Sequence, residues 1–163
     1  MAVENRLLDK ADWYVEDALA NYLHSYKLQN EELTQDNYRE IRRWAANHIG
    51  FFVSWLIQHD AKEMMTPDEE TVLQSVKGEQ TLGVDYLLGW CDGKLGTMDV
   101  KRDFQDFVNN YYEHQYMKDY SEFVVNDLYD LPLEFLGSWE DYHLFAPVID
   151  QAYADYLAGK RFH

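Results

Sequence analysis

Cysteine is nearly absent from this 163-residue chain. Cys91 is the only one, so no intramolecular disulfide can form and packing must supply the stability. Proline is scarce as well: Pro67, Pro132 and Pro147 are the only three, and no stretch rich in Pro, Gly or Ser marks a linker. A single helical domain over 1–163 is therefore expected, within the roughly 100–200 residues usual for one. Long apolar runs are missing. The most apolar stretch, Ile49–Ile57, is interrupted by Gly50 and Ser54 and falls far short of the ~20 residues of a membrane span. Residues 1–10 hold no signal-peptide core. A cytoplasmic protein without membrane association is the expectation.

Bases are in short supply too. Fourteen Lys and Arg stand against 30 Asp and Glu, a net charge of −16, which excludes nucleic acid as a partner because that requires a basic footprint. An acidic chain could be disordered, but disordered chains are poor in aromatics and this one has 16%. The acidity is regional. Asp103–Asp155 contains twelve acids and one base, Lys118.

What is present reads as helix. Asp9–Lys27 places Trp13, Asp17/Ala18, Tyr22/Leu23 and Tyr26 at helical spacing. Over roughly 36–59, Ile41, Ala45, His48, Phe52 and Trp55 line one face, while Ile49, Val53, Leu56 and Ile57 fill the other sides. A helix apolar all round is buried, so this is the central helix. Gly50 within it costs about 1 kcal/mol relative to Ala, which implies close approach of another helix or a ligand. Thr66-Pro67-Asp68-Glu69 is a helix start, with Thr66 as N-cap and Glu69 completing a capping box. Further helices are expected over 81–90, from Asp99 as cap through Tyr112, over 116–128, and from Ser138 to Gly159, kinked or divided at Pro147. No stretch alternates with period two. The fold class is all-α, a compact bundle of about six or seven helices.

Several segments, in order, carry a likeness: Ala11-Asp12-Trp13-Tyr14, Ala46-Asn47-His48-Ile49-Gly50-Phe51-Phe52, Trp90-Cys91-Asp92-Gly93-Lys94-Leu95, Asn110-Tyr111-Tyr112 with Tyr116–Tyr120, and Trp139-Glu140-Asp141-Tyr142 with Pro147–Gln151. Together they resemble an uncharacterised bacterial domain family, a domain of unknown function. The resemblance spans Trp13 to Tyr156 and implies a small helical domain, with no chemistry attached. Tyr14 stands where that family usually has His.

Candidate constellations follow from the pattern. His48 lies on the buried face of the central helix, and Trp44, His48, Trp55, Trp90 and Asp92 form a candidate ligand pocket. Asp92 is the expected partner of His48, and the competing reading is a core histidine satisfied by a carboxylate or carbonyl. Tyr116 and Tyr120 with Asp106, Glu113, Asp119 and Glu122 form a candidate acidic partner surface, since Tyr buries area at low entropic cost and keeps a polar handle. Core packing of those tyrosines is the alternative. Metal is not expected: Glu140-x-x-His143 occurs once where a di-metal bundle needs two copies, and His59 with Glu63 stands alone. Cys91 is expected to be an inert apolar side chain, its thiol raised by adjacent Asp92. No nucleophile elbow, phosphate loop or dinucleotide fingerprint occurs, so no catalytic residue and no cofactor are expected. The functional expectation is a non-enzymatic, immunity- or inhibitor-like module, monomeric or weakly dimeric, that docks a basic protein such as a toxin or a nucleic-acid-binding protein. The alternative is a ligand-binding protein or enzyme using the His48 pocket.

Overall fold

A computed structural model describes residues 5–163. At its centre lies a helix, Gln35–Gln58, whose residues from Trp44 to Ile57 are all buried. Its start is local chemistry. The Thr34 hydroxyl accepts the Asn37 N–H at 3.2 Å and the Asn37 side chain accepts the Thr34 N–H at 2.9 Å, two of the donors a helix N-terminus leaves unpaired.

Numbered in chain order, the helices are α1 Val15–Tyr26, α2 Gln35–Gln58, α3 Glu70–Lys77, α4 Gly83–Trp90, α5 Arg102–Tyr111, α6 Met117–Asn126 and α7 Trp139–Leu157. Tyr112–Tyr116 form a π-helical turn between α5 and α6, so residues 102–126 are one continuous helical stretch rather than two helices. α5 begins at Arg102. Asp99 ends a short 3-10 turn and accepts the Gly96 N–H at 2.7 Å, so it caps that turn and not the helix. Ser138 caps α7 as its sequence implies, accepting from the Asp141 N–H at 3.1 Å. α7 runs through Pro147 undivided.

The N-terminal segment departs from its helical pattern. Leu7–Lys10 is a strand, β1, antiparallel to β2, Lys94–Gly96, with Asp9 opposite Leu95 and Lys10 opposite Lys94. A 3-10 turn over Ala11–Tyr14 follows and helix begins only at Val15. The Gly93 carbonyl accepts the Ala11 N–H at 2.8 Å, so backbone pairing overrides a local helical preference. This two-stranded sheet sits on an otherwise helical fold.

α2 crosses α4 where side chains vanish. A Cβ on Gly50 would stand 2.7 Å from Val84 Cα, and one on Gly83 would stand 2.0 Å from Ser54 Oγ. The approach expected at Gly50 is therefore to a helix. On the other side of α2, Phe52 meets Tyr112 and Tyr116 edge-on at 4.9 Å each, and Phe145 of α7 closes on Tyr120 and Phe123. Among the described residues, no helix is long and apolar enough to cross a membrane.

Candidate functional site

His48 is 1% exposed, and its partner comes from β1. The β1–β2 pairing turns Asp9 inward, where its Oδ2 accepts from His48 Nε2 at 3.2 Å and from the Tyr112 hydroxyl at 2.6 Å. Its Oδ1 accepts the Lys10 N–H at 2.9 Å. Tyr14 lies edge-on to the imidazole with ring centroids 4.5 Å apart, and its hydroxyl favours the Asp9 carboxylate. Burial works against the Asp9 charge, yet the His48 hydrogen bond and charge, with the Tyr112 and Tyr14 hydroxyls, outweigh it and hold the carboxyl below the usual range. Burial first, and then the Asp9 charge, raise Tyr14 and Tyr112 far above the ordinary phenol value. Both remain hydroxyl donors.

One helical step along, Asn47 extends the polar network. Its Nδ2 donates to the Tyr120 hydroxyl at 2.7 Å and its Oδ1 accepts the Gly137 N–H at 3.0 Å, while Tyr116 donates to the His48 carbonyl. The loop before α7, the π-turn and β1 are thereby tied to two adjacent residues of α2. An Asp–His pair can serve catalysis when the second ring nitrogen faces a nucleophile. Among the described residues, Nδ1 of His48 is buried with no hydrogen-bond partner, and none of them supplies a nucleophile there.

The five residues of the expected pocket do not converge. The pairing of His48 with Asp92 is corrected: Asp92 is exposed in a turn beyond α4, at φ 53°, beside Lys94. Trp90 is 48% exposed. Trp44 donates to Glu40 at 3.2 Å and packs on Tyr22 at 5.0 Å. Trp55 donates to Asp150 at 2.9 Å and stacks on His59 at 4.1 Å. His48 and Trp44 are one turn apart on α2, and Trp90 and Asp92 lie together at the far end of α4. Asp9 and Tyr112 escaped the sequence reading because no local pattern ties residue 9 to residue 48; the link is made by pairing Asp9 in β1 with Leu95 in β2, far along the chain.

A second buried polar cluster lies under α3 and α4. Glu69 closes its capping box, its Oε2 accepting the Met65 and Thr66 N–H groups at 2.6 and 3.0 Å, and its Oε1 takes the Tyr86 hydroxyl at 2.8 Å. The Lys62 ammonium donates to the Glu63 carbonyl at 2.8 Å, stands 3.6 Å from Asp99 and lies 5.4 Å from the centre of the Tyr86 ring. Cys91 is half-buried, and its thiol is pushed up by burial against the opposing effects of Tyr86 and Lys62. Asp99 and Glu69 contribute to that rise. Each charge here is met by another group, which describes a structural cluster.

The acidic surface is redrawn as well. Tyr116 and Tyr120 are fully buried because the stretch from α5 to α6 lies between α2 and α7, so both belong to the core and not to an interface. Asp106, Glu113 and Glu122 are exposed. Glu113 pairs with Arg6 at 2.6 Å, and Asp119 is half-buried, accepting from Tyr111 at 2.6 Å and Gln115 at 2.8 Å. Ion pairing is lopsided among the described residues. Lys and Arg pair with Asp12, Asp36, Glu40, Asp60, Asp85, Asp92 and Asp99, whereas across 103–155 only Glu113 has such a partner. His143 reaches Glu79 instead of Glu140, and no group of three or more His, Cys, Asp and Glu among the described residues is placed to hold a metal ion.

A family model described as a domain of unknown function, DUF7832, matches residues 7–132, from β1 to the loop beyond α6. No curated protein and no solved structure matches the chain.

Proposed function

The chain belongs to that family of uncharacterised domains, and on this premise we propose that it is a non-enzymatic protein-binding module whose acidic C-terminal third docks a basic protein. The observation that carries this reading is the lopsided ion pairing. Asp103, Asp106, Glu122 and Asp127 are exposed and have no Lys or Arg partner among the described residues, which leaves their charge for another molecule. Apolar area is at hand in the same third. Val125 and Leu131 are exposed, and Tyr129, with φ 55°, is 90% exposed. An exposed Tyr among unpaired acids suits a partner that brings Lys or Arg and a pocket.

The partner is expected to be a basic toxin or a protein that handles nucleic acid, neutralised through its charge. Complementary charge speeds encounter and makes binding salt-sensitive, since the Debye length falls from about 10 Å at 0.1 M to about 3 Å at 1 M. Affinity capture from the native lysate at low and high salt tests this. A basic protein retained at low salt and released at high salt is expected; recovery of no basic protein at low salt would sink the proposal.

A further inference from the structure

Beyond α7 the chain carries the chemistry that the acidic third is proposed to receive. Gly159, at φ 108°, turns Lys160–His163 back across the molecule. Phe162 is only 7% exposed and meets Tyr111 edge-on at 5.1 Å. The Asn110 side-chain amide brackets its backbone: Nδ2 donates to the Phe162 carbonyl at 2.9 Å, and Oδ1 accepts the Phe162 N–H at 2.9 Å. One amide has thereby supplied the donor and acceptor that a neighbouring strand would offer, and such pairing holds an extended backbone whatever its side chains.

The residues ahead of Phe162 are basic and seated on rings. The Arg161 guanidinium lies 4.0 Å from the centre of the Tyr156 ring, and the Lys160 ammonium lies 5.0 Å from that of Phe162. Neither forms an ion pair among the described residues. Alongside opens a cleft of about 680 Å³, walled by Pro147, Val148, Asp119 and Asp155 on one side and by the tail on the other. The tail is thus held by the buried Phe162 ring, by the Asn110 amide, and by the Lys160 N–H and the Arg161 guanidinium, which donate to the Asp155 and Tyr156 carbonyls at 3.0 and 3.2 Å. Beside it lies a cleft that Asp119 and Asp155, neither ion-paired to Lys or Arg among the described residues, also line.

We infer that this seat is a recognition groove for an extended basic–basic–aromatic segment of a partner protein, and that Lys160-Arg161-Phe162 occupies it as an internal competitor. The inference rests on the proposed function, in that the partner is basic, and adds which part of the partner enters: an aromatic residue into the Tyr111 site, with the preceding bases on the Tyr156 ring and facing Asp119 and Asp155. A segment tethered by a short linker acts at an effective concentration on the order of millimolar. If the seat holds such a segment with a dissociation constant of about 0.1 mM, freeing it raises the affinity for an outside segment roughly tenfold.

The test is fluorescence anisotropy with a labelled pentapeptide of residues 159–163, Gly-Lys-Arg-Phe-His. The full chain is expected to bind it weakly, Phe162→Ala about tenfold more tightly, and Phe162→Ala with Asn110→Ala no better than the full chain. A folded Phe162→Ala variant that binds no more tightly than the full chain overturns the inference. Should that variant fail to fold, amide exchange at Phe162 in the unmodified chain decides instead: millimolar pentapeptide accelerates it if the tail is displaced, and unchanged exchange overturns the inference. Failure here is separable from failure of the proposed function. A basic protein captured equally by the full chain and by folded Phe162→Ala, with no competition from the pentapeptide, leaves the acidic surface standing and removes the groove.

Discussion

Replacing Gly50 by Ala sets two known effects against each other. Helix propensity alone favours the change by about 1 kcal/mol. The crossing opposes it, since the new methyl would lie 2.7 Å from Val84 Cα and Cβ and 2.8 Å from Val84 N, about 1 Å inside the optimum for carbon contacts. Two of those atoms are backbone, so no rotamer change relieves the contact and α4 must move away from α2. Overpacking of that kind costs about 1–3 kcal/mol, and set against the propensity gain of about 1 kcal/mol we expect a net loss near 1 kcal/mol. Gly89 is the control. It is exposed on α4, and a Cβ there meets nothing within 4 Å, so Gly89→Ala should stabilise by about 0.5–1 kcal/mol. Equilibrium urea unfolding reads both. With a slope of about 2 kcal/mol per M, the Gly50→Ala midpoint falls by about 0.5 M and the Gly89→Ala midpoint rises by a few tenths. A Gly50→Ala midpoint at or above that of the unmodified chain would refute the crossing argument.

Three further outcomes follow from the buried polar groups. Asp9→Asn should lose about 1–3 kcal/mol at pH 7 as the acceptor of His48 and Tyr112 weakens. The Asp9 carboxyl is lowered in the folded state, so its contribution is present above the ordinary Asp value of about 3.9 and is lost as pH falls through the folded value. Urea midpoints of the two proteins should converge below about pH 4, and a constant gap would contradict the pairing. Tyr120→Phe leaves Asn47 Nδ2 without its acceptor and should cost about 1–2 kcal/mol in thermal or urea unfolding; no change would mean that the Asn47 network is not formed. The raised Cys91 thiol predicts alkylation by iodoacetamide at pH 7 at least roughly tenfold slower in the folded chain than in urea, and equal rates would place Cys91 in the open.

The central helix was legible because its burial is continuous and its crossing is written locally, in Gly50, whereas its Thr34 cap went unread. Glu69 and Ser138 show the same economy: capping needs a residue and another three positions on, which a sequence displays. The sheet was hidden for a physical reason. Strands of three and four residues are too short to show alternation, and β1 exists because β2 lies beside it, far along the chain. Asp9 rides on that pairing, so the true partner of His48 was out of local reach, while Asp92 looked nearer than its turn allows. The tyrosines misled differently. Tyr suits a core edge and an interface equally, and only the π-turn that continues α5 into α6 shows Tyr116 and Tyr120 facing Phe52 and Phe145.

Whether the acidity acts regionally is the central question, and one capture experiment addresses it. One variant neutralises Asp103, Asp106, Glu122 and Asp127 as amides, and another neutralises Glu16, Asp17, Glu31 and Glu63, which gives both the same net charge. Compared with the unmodified chain at low salt, the first is expected to lose its basic partner and the second to keep it. Equal retention, or equal loss, would show that the charge of the whole chain governs binding and would contradict a docking surface in the C-terminal third.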